Sequence, residues 1–211
     1  MAYTENTVRE SHTRRTFLKG AAATGLMTII ASGTSRSTEA AAFAKANLQD
    51  LSDADILNFA LTLEHLEAEF YKQVVSSGVL TDYSLPILTE VRDHEIAHVE
   101  FLTKALSDAG AEPVQAQESY NFEAAGDLST EAGVLAVSEV LEETGVGAYT
   151  GAAALLDNKD FLAAAGSIEQ VEARHQGAIR WLNDKNPAGS VLGPVFTVAE
   201  VQEKVAPILG S

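Results

Sequence analysis

The sequence contains no cysteine. That absence excludes disulfides, thiol catalysis, thiolate zinc sites and iron–sulfur clusters, while leaving compartment open, because an exported protein can do without disulfides. Basic residues are scarce: 14 Lys and Arg stand against 30 Asp and Glu, a formal net charge of −16. Such a surface repels phosphate backbones and anionic bilayers, which argues against nucleic acid and anionic membranes as partners and leaves small or neutral ligands. A long apolar run is also missing. The greasiest stretch, "GAAATGLMTIIASG" at residues 20–33, is only moderately hydrophobic and too short for a comfortable membrane span. No segment alternates like a strand. At 211 residues the chain suits one domain with a real core.

That short apolar run has a context. It follows "TRRTFLK" at residues 13–19 and precedes "EAAAFAKAN". With Arg14 and Arg15 as the pair, Phe17, Leu18 and Lys19 behind them, and A-x-A sites ending at Ala42, Ala44 or Ala46, the segment resembles a twin-arginine signal peptide. The resemblance implies cleavage near 42–46, an exported product in the periplasm or another extracytoplasmic space, and no stable membrane span afterwards. It also implies a passenger that folds before export, often with a cofactor already inserted. Removing residues 1–44 leaves nine basic and 27 acidic residues, a net charge of −18.

The remaining chain reads as helices. After Ser52 or Asp53 as N-cap, Ile56, Ala60, Leu63, Phe70 and Val74 form an apolar stripe that ends at Gly78. A second helix has Pro86 in its first turn and Gly110 past its end. A third is expected from about Thr130 to Leu156 and a fourth from Phe161 to about Asn183, joined by the short "DNKD" turn. Roughly twenty residues without periodicity separate the pairs, which a crossover along a bundle would explain. The predicted fold is all-α: a four-helix bundle of two hairpins with a long crossover over residues 45–184, and a tail at 185–211 carrying a short helix near Val198 to Val205. Trp181 is expected in the core, and the small-residue run "TGVGAYTGAAALL" is expected to permit close helix approach.

The segment "VRDHEIAHVEF", Val91 to Phe101, places Glu95 and His98 three residues apart on one helix face. The fourth helix repeats the pattern with Glu172 and His175. In each hairpin the first helix offers one Glu, Glu64 or Glu142, that precedes a Tyr by seven residues, Tyr71 or Tyr149. The separations from Glu64 to Glu95 and from Glu142 to Glu172 are 31 and 30 residues. The chain therefore reads as an internal duplication. Four carboxylates aimed into an apolar core would destabilise it as bare charges; two divalent cations would neutralise them. Glu67 and Glu143 are further candidates, as ligands or as acceptors behind them, although Gly145 at the position equivalent to Glu67 favours Glu64 and Glu142. Tyr71 and Tyr149 either donate to ligands or are satisfied by backbone. His65 and His94, each turned about a hundred degrees from a neighbouring ligand, are assigned to structure or surface.

Together these residues resemble the ferritin-like di-iron and di-manganese carboxylate proteins, in which one Glu from each of two helices joins Glu-x-x-His from the other two. "NFALTLEHLEAEFY" with "HEIAHVEFL" is similar to the exported, desiccation-associated ferritin-like group. The resemblance implies Glu64, Glu95, His98, Glu142, Glu172 and His175 as metal ligands, with Glu95 and either Glu142 or Glu172 as bridging carboxylates. The implied cofactors are two divalent ions, iron or manganese, since nitrogen and oxygen donors without sulfur suit either. The leading expectation is an oxidoreductase of ferroxidase, peroxidase or catalase type acting on peroxide or dioxygen. A second is a non-catalytic metal-binding or desiccation- and stress-protective bundle, with homo-oligomers among its forms. A third is a metal-free bundle whose inward Glu are protonated or paired with His.

Overall fold

A computed structural model describes residues 51–210 of the chain; the expected leader and its cleavage region lie outside them. Five α-helices make up the fold: α1 Asp53–Ser76, α2 Ser84–Asp108, α3 Glu131–Ala152, α4 Lys159–Leu182 and α5 Val198–Leu209, with one 3-10 turn, Phe122–Ala124, in the connection between α2 and α3. The described residues contain no strand. None of their helices is long and apolar enough to cross a membrane.

The helix starts follow from local chemistry. Ser52 caps α1 in a reciprocal box: its hydroxyl accepts from Asp55 N at 3.2 Å, and the Asp55 carboxylate accepts from Ser52 N at 2.9 Å. Thr130 and Asn158 cap α3 and α4 through their side-chain oxygens. Asp53 serves elsewhere, accepting Asp157 N at 2.9 Å and Asn158 N at 2.8 Å. It thereby ties the turn between α3 and α4 to the start of α1. That turn opens earlier than the sequence pattern suggests, because α3 stops at Ala152 rather than Leu156.

α1 packs along α2 and α3 along α4, and the hairpins meet through α1 against α3 and α2 against α4. Their inward stripes form two apolar clusters. One gathers Phe70, Tyr71, Leu88, Phe122 and Ile179 with Val201 and Val205 of α5; the other gathers Leu57, Leu61, Leu102, Leu106 and Ile168. Between them, at mid-length of all four long helices, lies a layer of buried charged residues.

The crossover is anchored rather than loose. The Asn58 amide donates to Glu112 O at 3.0 Å and accepts from Val114 N at 2.8 Å, while His65 Nε2 contacts Val114 O at 3.2 Å. His65 is thus structural, as expected. Phe122 is buried against Phe70, ring centres 5.3 Å apart, and Asn121 N donates to Ile208 O at 2.8 Å.

Three expectations need correction. Trp181 is half exposed and leans on Tyr83, ring centres 5.2 Å apart: it lies two residues past Ile179, which turns it about 200° from the inward stripe. The small-residue run admits side chains of neighbouring helices only at Gly145, and at its other two contact glycines it admits the C-terminal tail. Phe196 packs its ring where a Cβ of Gly147 would be and its carbonyl where a Cβ of Gly151 would be, and Phe196 N donates to Gly147 O at 2.9 Å. Lastly, α5 continues through Pro207 to Leu209, four residues beyond Val205, because Val198, Val201, Val205 and Ile208 keep one buried face.

Candidate metal centre

Glu64 of α1, Glu95 and His98 of α2, Glu142 of α3, and Glu172 and His175 of α4 all point into the charged layer. The four carboxylates are fully buried and the two imidazoles nearly so. Each side chain reaches it from the middle of an uninterrupted helix, which fixes its direction through the helix phase. His98 Nδ1 stands 3.2 Å from Glu64 Oε2, 3.1 Å from Glu95 Oε2 and 3.2 Å from Glu172 Oε1. His175 Nδ1 stands 2.8 Å from Glu95 Oε1, 3.4 Å from Glu142 Oε2 and 3.9 Å from Glu172 Oε1. The two halves are nearly equivalent, each imidazole facing three carboxylates.

Two groups of ligand atoms result, each within 4.8 Å: Glu64, Glu95, His98 and Glu172, and Glu95, Glu142, Glu172 and His175. Glu95 and Glu172 belong to both. Of the three carboxylates considered as bridges, Glu142 belongs to one group only, as Glu64 does to the other.

The tyrosines act across the pseudo-twofold. Tyr71 of α1 donates its hydroxyl to Glu142 Oε1, and Tyr149 of α3 donates to Glu64 Oε1. Each unshared carboxylate is held by one oxygen, leaving the other turned inward. Several inward atoms have no hydrogen bond: Glu95 Oε1, Glu142 Oε2, both Glu172 carboxylate oxygens and His175 Nδ1. The 2.8 Å approach of His175 Nδ1 to Glu95 Oε1 is close but too far out of line for one.

Electrostatics makes the same point. Burial pushes Glu64 up to about 7 against the pull of His98, raises Glu142, and raises Glu172 well above the usual carboxylate range. Glu95 alone goes down, to about 2: burial opposes its charge, but His175 and His98 outweigh it. Burial likewise opposes charge on the imidazoles, yet the carboxylates raise His98 to about 12 and His175 to about 11. Without a metal the cluster therefore retains protons on both imidazoles and on several carboxyls. Two divalent cations would match four carboxylates charge for charge and leave the imidazoles neutral. The donor set, four carboxylates and two nitrogens with unpartnered atoms facing one centre, fits two such ions.

Glu67 lies beside this set. It is buried, its Oε2 has no partner, and burial followed by the nearby carboxylates raises it well above the usual range. Gly145 makes the room: a Cβ there would stand 2.8 Å from Glu172 Oε2 and 3.3 Å from Glu67 Oε1. Glu143 is exposed, because one residue's rotation from Glu142 carries it to the outer face of α3. His94, assigned to structure or surface, instead reaches the cluster: its Nδ1 lies 2.9 Å from His175 Nε2. One sequence signal could have found it, since His94 precedes His98 by four residues and so lies one turn away on the same flank.

A family model described as a ferritin-like domain matches residues 52–185. The fold is similar to the crystal structure of a conserved hypothetical protein from Mycobacterium tuberculosis, with 17% sequence identity, a TM-score of 0.56, and coverage of 62% of this chain and 96% of that one. No curated protein matches the chain.

Proposed function

The chain belongs to the ferritin-like domain family, and on that premise we propose that it is an exported protein that holds two divalent metal ions, iron or manganese, and uses them on peroxide or dioxygen. One observation carries the reading: two groups of buried ligand atoms share Glu95 and Glu172 and face a common centre, several of them with no hydrogen bond. A pair of such ions, when bound, supplies two-electron exchange with a small oxidant. The protein's own residues bind and orient. Glu64 and His98 close one side, Glu142 and His175 the other, and the two tyrosines fix the unshared carboxylates. Apolar clusters on either side exclude bulk water. A small cavity between Leu63, Leu66, Leu141 and Val205, reaching Glu67 and Gly145, has room for about one water.

The test is metal content by mass spectrometry on protein purified from its host without chelator. The reading expects about two iron or manganese ions per chain, lost in Glu95→Ala and His98→Ala. It further expects dioxygen evolved from peroxide, or Fe(III) formed from Fe(II) and dioxygen. Two ions without either reaction would make the protein a metal-holding or protective bundle; no metal in folded, exported protein would overturn both. The export itself is tested by replacing Arg14 and Arg15 with lysine, which is expected to leave the precursor in the cytoplasm.

A further inference from the structure

Besides Glu67, whose counterpart in the second hairpin is Gly145, the two halves of the centre differ at His94. His94 Nδ1 and His175 Nε2 are 2.9 Å apart, and the ring planes are only 12° from parallel, with centres 5.1 Å apart. Parallel faces cannot approach within 2.9 Å without overlapping, whereas a hydrogen bond in the ring plane requires such a distance. The centre separation agrees, being the N···N distance plus a ring radius at each end. The rings therefore meet edge to edge. The duplication that pairs Glu95 with Glu172 and His98 with His175 pairs His94 with Val171, whose aliphatic side chain can accept nothing from His98.

A metal-binding imidazole presents one bare nitrogen and usually donates from the other, and that second bond fixes both tautomer and ring orientation. His175 turns Nδ1 toward Glu95 and Glu142 and Nε2 toward His94. We propose that His94 is a positioning residue for the metal centre: by accepting the Nε2–H of His175 it keeps Nδ1 free for metal and makes the two metal positions inequivalent, the one bounded by His175 and Glu142 being held more tightly. The His94 side chain is 40% exposed, with Nε2 toward Glu90 Oε1 at 3.7 Å. It is thus a polar link from the enclosed cluster to the protein surface.

The inference rests on the two-metal reading above, and the experiment separates the two. Mn(II) alone is titrated into metal-free full-length protein against a fluorescent chelator, for the wild type, His94→Leu and His94→Gln. The wild type is expected to take up two ions in two resolved steps. Leucine, which cannot accept the hydrogen bond, is expected to weaken the tighter step by about 10- to 100-fold and spare the other. Glutamine, whose amide oxygen can accept it, is expected to restore most of that loss. Metal-free melting temperatures should agree among the three, because the position is partly exposed. Coincident steps in the wild type, equal weakening of both steps, no weakening in His94→Leu, or glutamine as poor as leucine would each overturn the role of His94. Failure of the wild type to bind Mn(II) would overturn the metal centre itself and this inference with it.

Discussion

Six residues whose types and spacings already implied one another meet in a single layer, and the reason is geometric. A Glu and a His three apart on a helix share a face, so Glu95 with His98 and Glu172 with His175 could be placed from the sequence alone. Contacts that depend on long-range packing could not. The crossed donation of Tyr71 to Glu142 and Tyr149 to Glu64 depends on how the hairpins abut. The His94 contact with His175 depends on the seam between α2 and α4. A hundred degrees of rotation removes Glu143 from the cluster but leaves His94 on its flank, because α4 closes over that side. Gly145 is the residue whose replacement isolates the site from the fold. In Gly145→Ala the helix gains about 1 kcal/mol of propensity while the new methyl group, crowding Glu172 and Glu67, costs about 1–3 kcal/mol. The metal-free protein is therefore expected to lose no more than about 2 kcal/mol of stability, whereas manganese bound per chain falls. Full uptake by this variant would show that the two carboxylates have slack.

At the scale of elements, helix identity and pairing followed from apolar periodicity and from the lengths of the connections, while helix ends followed only where a cap residue announced them. Ser52 and Thr197 close reciprocal boxes, and the starts of α1 and α5 fall where the sequence put them. The end of α3 has no such signal, and the turn that follows it is held by Asp53, about a hundred residues earlier in the chain. The crossover has no periodicity, yet Asn58 and His65 hold it to α1. Asn58→Ala removes both amide bonds to it. A net loss of about 1–3 kcal/mol is expected, together with faster proteolysis between Gly110 and Phe122, measured by limited digestion of the folded protein. A variant that melts earlier but resists digestion like the wild type would place the weakness elsewhere.

For the whole molecule, the buried layer couples stability to pH. Glu64 titrates at about 7 in the folded protein and at 4.5 as an ordinary carboxyl, and Glu142, Glu172 and Glu67 are shifted in the same direction. An upward-shifted carboxyl contributes stability that is complete below its unfolded value and lost as pH rises through its folded one. The metal-free protein is thus expected to become less stable between about pH 4.5 and 7. His98 and His175, at about 12 and about 11, retain their contribution across that window, and Glu95, at about 2, loses its own only in strong acid. Metal runs the other way, since its ligands must shed protons to bind it. Scanning calorimetry should find the gap in melting temperature between manganese-loaded and metal-free protein widening from about pH 5 to about pH 8. A gap that stays constant would mean that the carboxyls are already ionised without metal.

Uninterrupted helices through the charged layer also dictate which changes of length the gene can tolerate. One inserted residue turns everything beyond it by about 100° and two inserted residues by about 200°, whereas seven bring the faces nearly back into phase. Insertions in the turns after Gly78 or around Asp157 would leave the ligand geometry alone. A single codon gained between Glu64 and Tyr71, or between Glu172 and His175, would aim a required group at the wrong neighbour and turn the core residues beyond it, Phe70 and Val74 or Ile179, off the buried face. Among descendants of this sequence, length variation is therefore expected in the connections, with the seven- and three-residue intervals held fixed.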